Sequence, residues 1–254
     1  MPHDTSCPLV TIKELINQLV GKKWFTKFDI RWGYNNVRIK EGDKWKAAFK
    51  TNRGLFEPLV MFFGLTNSPA TFQMVMDAIF VEEVASGNVI IYMDDILIAT
   101  TESLRSHRNH VAHVLKKLQN NDLFLKPEKC QFHKEEVEYL GVIVGKGQVK
   151  MDPVKVKAIT DWPIPDNLTE LRSFLGFGNY YKDFIPNYLR ITGPLHDATK
   201  KDAQITVEQY TKGKKSQIQG IVWGLPQYNA FKLLKDLFTS YPVLVLPQLR
   251  LNLS

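Results

Sequence analysis

The sequence predicts an α+β fold, on three observations. Strand-length apolar runs and helix-spaced apolar faces are intermixed, without the strict alternation of a parallel α/β chain. Val89 to Met93 and Ile96 to Ala99 are separated only by Asp94-Asp95 and read as a hairpin. Val137 to Val144 and Gln148 to Met151 flank Gly145-Lys146-Gly147 and suggest a second hairpin.

The elements follow in order. Thr11 to Val20 carries Ile12, Leu15, Ile16 and Leu19 on one helical face, and Gly21 with Lys22-Lys23 stops it. Phe25 to Ile39 reads as a strand, a turn at Arg31 to Asn35 and a short extended piece. Lys46 to Phe49 and Leu59 to Phe63 look like further strands. Ser68-Pro69 starts a helix, with Ser68 as cap and Pro69 at the first helical position. Phe72, Val75, Met76, Ile79 and Phe80 follow on its inner face, and Gly87 ends it. After the acidic hairpin, Ser103 caps a helix whose face carries Val111, Val114, Leu115 and Leu118. Beyond Pro153 the pattern is helical. Asn167 and Glu170 form a capping-box candidate. Ala203 to Gly220 is polar and without helical period, and Ala230 to Phe238 is helical again.

Composition sets the bounds. The chain has 254 residues, 44% hydrophobic and 23% charged, which excludes collagen-like, mucin-like and wholly disordered classes. Its length suits one large domain or two small ones. No apolar run reaches the ~18 residues of a membrane span. Met1 to Pro8 lacks a basic-then-apolar signal. Cys7 and Cys130 are too few for a disulfide framework, so the expected location is intracellular, in a cytoplasmic particle or the nucleus. The net charge is +7, from 33 basic and 26 acidic side chains. Residues 1–100 are balanced; the excess lies in the later part. A basic flank suits nucleic acid, although an ordinary Lys-rich surface gives the same numbers.

The acidic hairpin is the most informative stretch. Two like charges ~4 Å apart repel by ~4 kcal/mol at an effective dielectric of 20, so ionised Asp94 and Asp95 need a positive partner. A solvated turn is one reading, but such a turn prefers Asp-Gly, and here Ile96-Leu97-Ile98 follows at once. A third carboxylate, Asp29, ends another strand-like run, Trp24 to Ile30. Three Asp at strand ends offer oxygen-only ligands for Mg²⁺. Two such ions ~3.5–4 Å apart suit phosphoryl transfer.

Tyr92-Met93-Asp94-Asp95 resembles the Y-x-D-D box of reverse transcriptases. Phe28 to Ile39 resembles the first catalytic motif of gypsy-type LTR retrotransposon polymerases, and Phe63 to Gln73 their second block. Tyr139-Leu140-Gly141 is similar to the primer-grip box. Leu171 to Gly176, Asn179 to Tyr181 and Phe184-Ile185 resemble the segment after the polymerase core. The blocks occur in family order from about Pro8 to Lys201.

The resemblance implies a right-hand polymerase: an antiparallel palm sheet flanked by helices, partial fingers, a thumb and a degenerate connection segment. The expected division is 1–145 for palm and partial fingers, 146–200 for a thumb-like segment and 201–254 for the connection segment, without ribonuclease H. It implies RNA-directed DNA synthesis on an RNA or DNA template with a primer, from deoxynucleoside triphosphates, using two Mg²⁺ or Mn²⁺ ions. Asp29, Asp94 and Asp95 would be the catalytic metal ligands. Ile30, Tyr34 and Gln73 would contact the incoming nucleotide, with Asn67 to Ala70 lining the same pocket and the Tyr34 ring excluding a 2′-OH. Tyr139, Leu140 and Gly141 would position the primer. Lys126 or Lys129 would correspond to a lysine that assists pyrophosphate departure. Family members carry basic finger residues upstream and a continuous segment where Ala203 to Gly220 stands here. Trp32 and Asn35-Asn36 also replace a smaller residue and a His-Gln pair. The alternative is therefore a decayed, inactive retroelement fragment that at most binds nucleic acid.

Other candidates have plainer readings. His107, His110 and His113 suit a polar helix face; Cys130 and His133 are half of a zinc set at best. Lys212, Lys214 and Lys215 suit a solvated loop or a nucleic-acid contact. Phe174, Phe177, Tyr180, Tyr181 and Phe184 suit a helical core.

Overall fold

Alternation along a short apolar run builds the central strand. In β1 (Trp24–Asp29), Thr26 and Phe28 point to one side, and Phe25, Lys27 and Asp29 to the other. A computed structural model describes residues 12–19, 21–182, 185–200, 204–211, 214–221 and 223–240. The chain falls into two units, residues 1–147 and 148–254.

In the first unit, β1 lies in an antiparallel four-stranded sheet of order β4-β5-β1-β6. Its other strands are β4 (Val89–Tyr92), β5 (Asp95–Thr100) and β6 (Gln131–Lys134). Phe28 stands opposite Ile96, and Asp29 opposite Asp95. Phe28, Ile96, Ile98, Val89 and Ile91 enter one core with Phe72 and Met76 of α2 (Ser68–Ile79) and Val111, Val114 and Leu118 of α4 (Leu104–Asn120). Each such side chain contributes about 1.5–3 kcal/mol by burial. Phe25, Leu97, Ala99 and Ile90, on the opposite face by register, are buried as well. Against β1 packs β7 (Glu136–Tyr139), which pairs with β8 (Val142–Gly145). The remaining elements are α1 (Ile12–Leu19), α3 (Val81–Ala85) and a hairpin of β2 (Phe49–Thr51) and β3 (Gly54–Phe56).

The second unit holds β9 (Gln148–Met151), α5 (Pro153–Thr160), α6 (Leu168–Tyr180), α7 (Tyr188–Asp197), a hairpin of β10 (Gln204–Thr211) and β11 (Lys214–Ile221), and α8 (Leu225–Ser240). Phe174 packs on Phe231, and Tyr181 on Phe238, with ring centroids 4.6 and 5.9 Å apart. Those aromatics are core, while Tyr180 is 37% exposed. Phe184 lies outside the described residues.

Several elements differ from the sequence reading. Ser68 is the first helical residue and Asn67 the cap, because the Ser68 hydroxyl donates to the Phe62 carbonyl instead (3.3 Å). The helix breaks at Phe80, whose ψ of 24° interrupts the α geometry, and resumes as α3. Lys44–Ala47 is a 3-10 helix rather than a strand, and the β2–β3 hairpin follows it, turning at Asn52-Arg53. Of Leu59 to Phe63, only Val60 bridges, to Arg38. The run Val137 to Val144 divides at Leu140-Gly141, both at positive φ (46° and 73°). Within the polar stretch, Gln204–Thr211 and Lys214–Ile221 pair as a β hairpin. Alternation at Ile205 and Val207 was the available signal, cut short by polar Gln209 at the next position of the repeat. The Asn167 cap holds: its Oδ1 accepts from the Glu170 N–H at 3.0 Å.

Candidate active site

Strand register brings the three aspartates together. Asp29 ends β1 directly across from Asp95, the first residue of β5. Tyr92 pairs with Asp95, so the hairpin loop is Met93-Asp94 rather than Asp94-Asp95. The Asp94 carbonyl accepts from the Ile30 N–H at 2.9 Å, tying the loop to the end of β1.

Lysines face the carboxylates. Lys126 Nζ is 2.5 Å from Asp29 Oδ1, and Lys129 Nζ is 3.4 Å from Oδ2. The Lys126 N–H also donates to the Asp29 carbonyl at 2.9 Å. Hydrogen bonding to Asp29 raises the Lys126 pKa, against the opposing effect of burial. Lys27 Nζ is 3.5 Å from Asp95 Oδ1. The Asp95 pKa is raised, first by burial and then by Asp94 and Asp29, with Lys27 opposing. Lys27 was missed in the sequence, although period two places it on the same strand face as Asp29.

Three carboxylates on two paired strands offer the hard oxygen donors that Mg²⁺ takes. Their side chains pair with lysine here, and no set of three His, Cys, Asp or Glu among the described residues is gathered as a metal cage. The donor chemistry fits a divalent ion; the side-chain placement answers the same charge with Lys27, Lys126 and Lys129.

The loop is held from below. Met93 has φ 55°, which costs a non-glycine residue about 1 kcal/mol or more. Gln73, 8% exposed, accepts from the Met93 N–H at 2.7 Å. Its amide nitrogen donates to Asp77 Oδ1 at 2.8 Å and to the Ile91 carbonyl at 3.3 Å. The Gln73 amide, expected at the nucleotide, is thus engaged with the hairpin. Tyr34 stands above the loop, its hydroxyl 3.7 Å from Met93 Sδ and its ring against Phe63 and Phe72 (centroids 4.8 and 5.6 Å). Its pKa is raised by burial first and by Asp94 second. Ile30 is 0% exposed, which leaves only its backbone for a ligand. Beside this region a cleft of about 530 Å³ is lined by Arg38, Lys40, Lys46 and Asn67.

Tyr139 is buried at the end of β7, and Leu140-Gly141 form the two-residue turn into β8. The three histidines of α4 diverge. His107 is buried between the Thr26 and Thr100 hydroxyls (2.8 and 3.0 Å), His110 meets the Ser106 carbonyl (3.0 Å), and His113 meets Glu83 (2.8 Å). Cys130 donates to the Lys126 carbonyl at 3.2 Å and shares no ligand geometry with His133. Lys212 and the side chains of Lys214 and Lys215 lie outside the described residues.

The family model described as "Reverse transcriptase (RNA-dependent DNA polymerase)" matches residues 2–144. The chain belongs to the reverse transcriptase family. It is 37% identical over 240 residues to the retrovirus-related Pol polyprotein from transposon 297 of Drosophila melanogaster, covering 94% of this chain and 21% of that protein. It is 35% identical over 237 residues to the transposon Tf2-3 polyprotein of Schizosaccharomyces pombe, covering 93% of this chain and 16% of that one. The chain therefore spans about a fifth or less of these relatives, which are retrotransposon polyproteins, as the gypsy-type resemblance implies. Two solved structures share the fold. The foamy viral protease-reverse transcriptase in complex with RNA/DNA hybrid has a TM-score of 0.76 at 21% identity, over 90% of this chain and 29% of that chain. The same protein's dRH form in complex with double-stranded DNA has a TM-score of 0.73 at 20% identity, over 89% and 37%. The α+β polymerase fold expected from the sequence is the fold observed.

Proposed function

We propose that this chain extends a primer 3′ end on an RNA or DNA template, taking deoxynucleotides from their triphosphates, as the polymerase module of a retrotransposon polyprotein. One observation carries the reading: in a reverse transcriptase family member, Asp29 and Asp95 are register partners, with Asp94 one residue away. These three aspartates would hold two Mg²⁺ or Mn²⁺ ions. When bound, such a pair supplies activation of the attacking oxygen and neutralisation of the leaving group. The rest of the catalysis is positioning and electrostatics. Lys126 and Lys129 bring positive charge to the same carboxylates, where a departing pyrophosphate needs it. Tyr34, packed on Phe63 and Phe72 beside the loop, offers a rigid floor under a sugar. Arg38, Lys40 and Lys46 supply cations suited to phosphate, and contacts to phosphate give affinity without sequence reading.

The test is primer extension on an RNA template by the purified chain, with Mg²⁺ and with chelator. Metal-dependent extension that Asp94→Asn abolishes is the expected result, with ribonucleotide incorporation rising in Tyr34→Ala. Salt-sensitive template binding with no extension under any divalent ion would refute the activity and leave a nucleic-acid-binding remnant.

A further inference from the structure

A buried polar atom without a hydrogen bond calls for a physical explanation. Tyr139 is 0% exposed, and its hydroxyl has no hydrogen-bond partner among the described residues. Leaving a buried hydroxyl unpaired costs about 1–3 kcal/mol. A phenylalanine would fill nearly the same volume without that cost.

The strand pattern shows where the hydroxyl lies. Val137 and Tyr139 point inward from β7, while Glu138 is exposed. β7 packs against β1. Thr26 meets His107 of α4 and Phe28 belongs to the core under the helices, so Lys27 and Asp29 occupy the other face. Register places Asp95 and Tyr92 on that second face as well. The ionisation of Tyr139 is suppressed by burial first, then by Asp95 and then by Tyr92, the two groups that register places on this face of the sheet. A phenol donates one hydrogen bond, and an ionised carboxylate only accepts.

We propose that Tyr139 is a positioning residue for the candidate metal site, its hydroxyl donating to the Asp95 carboxylate and orienting it when a divalent ion is held there. The assignment rests on the metal-binding reading given above. It differs from a primer contact, for which a fully buried ring has no surface to offer. Ligating carboxylates are themselves hydrogen-bonded, and losing such an outer partner typically costs 10–100-fold in metal affinity. A hydroxyl kept for this purpose accounts for a tyrosine where phenylalanine would pack as well.

The experiment compares the full chain with Tyr139→Phe and Asp95→Asn. Mn²⁺ alone is titrated and followed by electron paramagnetic resonance, and thermal unfolding is recorded without metal. Tyr139→Phe should weaken Mn²⁺ binding about 10–100-fold, while its metal-free melting temperature stays equal or rises. Asp95→Asn should abolish the binding. Mn²⁺ affinity within twofold of wild type in Tyr139→Phe, with Asp95→Asn still deficient, would overturn the Tyr139 assignment alone. A lowered metal-free melting temperature in Tyr139→Phe would overturn it too, since the hydroxyl would then have a structural partner. No Mn²⁺ binding by wild type, or undiminished binding by Asp95→Asn, would overturn the metal reading and the assignment together.

Discussion

Protonating His107 should loosen the helix-covered face of the four-stranded sheet. Its ring is 0% exposed and bonded through both nitrogens, Nε2 to Thr26 Oγ1 at 2.8 Å and Nδ1 to Thr100 Oγ1 at 3.0 Å. It therefore joins α4 to β1 and β5 at once. Burial lowers its pKa from 6.5 to about 4, and His133 of β6 and His110 of α4 push the same way. Above about pH 6.5 neither folded nor unfolded chain protonates this side chain, and its contribution to stability is complete. Between about pH 6.5 and 4 the unfolded chain takes up the proton and the folded chain does not, so stability falls with pH. At about 1.36 kcal/mol per unit, the loss approaches 3 kcal/mol. That is a large share of the roughly 5–15 kcal/mol typical of a domain. The assay is urea unfolding of wild type and His107→Gln between pH 7 and 4. Glutamine can both donate and accept but does not titrate, and carboxylate effects cancel in the difference. Wild type should lose about 3 kcal/mol more than the variant over this range. Parallel pH profiles would refute the reasoning, because His107 would then take up its proton equally in both states.

Gln73→Leu should destabilise the chain by about 1–3 kcal/mol, since it strips partners from the half-buried Met93 N–H and the buried Ile91 carbonyl. Chemical denaturation measures this, and an effect below 0.5 kcal/mol, roughly the surface background, would remove Gln73 from the support of the hairpin. Asp95→Asn should raise metal-free stability by about 0.5–2 kcal/mol, as relief of strained functional groups commonly does. The sign follows from a raised folded pKa, which makes ionised Asp95 a cost to the fold at neutral pH; a lowered melting temperature would contradict it. Gly145→Ala should destabilise more than Gly147→Ala by differential scanning calorimetry. A Cβ at Gly145 would meet Glu136 Cα at 2.6 Å and one at Gly147 meets nothing, although Gly147 carries the φ penalty of 71°.

Much of the site was legible because its chemistry is written in backbone register. Asp29, Asp94 and Asp95 are placed by strand ends, and period two with a two-residue loop suffices to bring them together. Roles that depend on side-chain direction were not legible. The family resemblance implies that Gln73 contacts the incoming nucleotide, a role that no spacing in the sequence could check. Its burial and the strained Met93 below which it sits turn its amide to the hairpin instead. The choice between Lys126 and Lys129 also had no sequence answer. Both reach Asp29, and Lys126 is the closer partner by its side chain, at 2.5 Å against 3.4 Å, and by its main-chain bond to the Asp29 carbonyl.

The same distinction explains why the acidic cluster persists in a fold it does not help. Three carboxylates on adjacent strands repel, and burial raises the cost of keeping Asp95 ionised. The fold answers with three cations: Lys27 on β1, and Lys126 and Lys129 at the start and end of the 3-10 turn Pro127–Lys129 before β6. Only Lys27 is close to an aspartate in sequence; the other two arrive through the β1–β6 pairing. Lys126 and Asp29 are mostly shielded from water, so their attraction is less screened than that of a surface pair. Each lysine that lowers the cost of folding also raises the cost of bringing in a second cation. A divalent ion with two charges and several oxygen ligands can displace a single ammonium, whereas a monovalent ion has no such advantage. Lys126→Met should therefore destabilise the metal-free chain and tighten its Mn²⁺ affinity together. A loss of stability without a gain in affinity would mean that lysine and metal do not compete for Asp29.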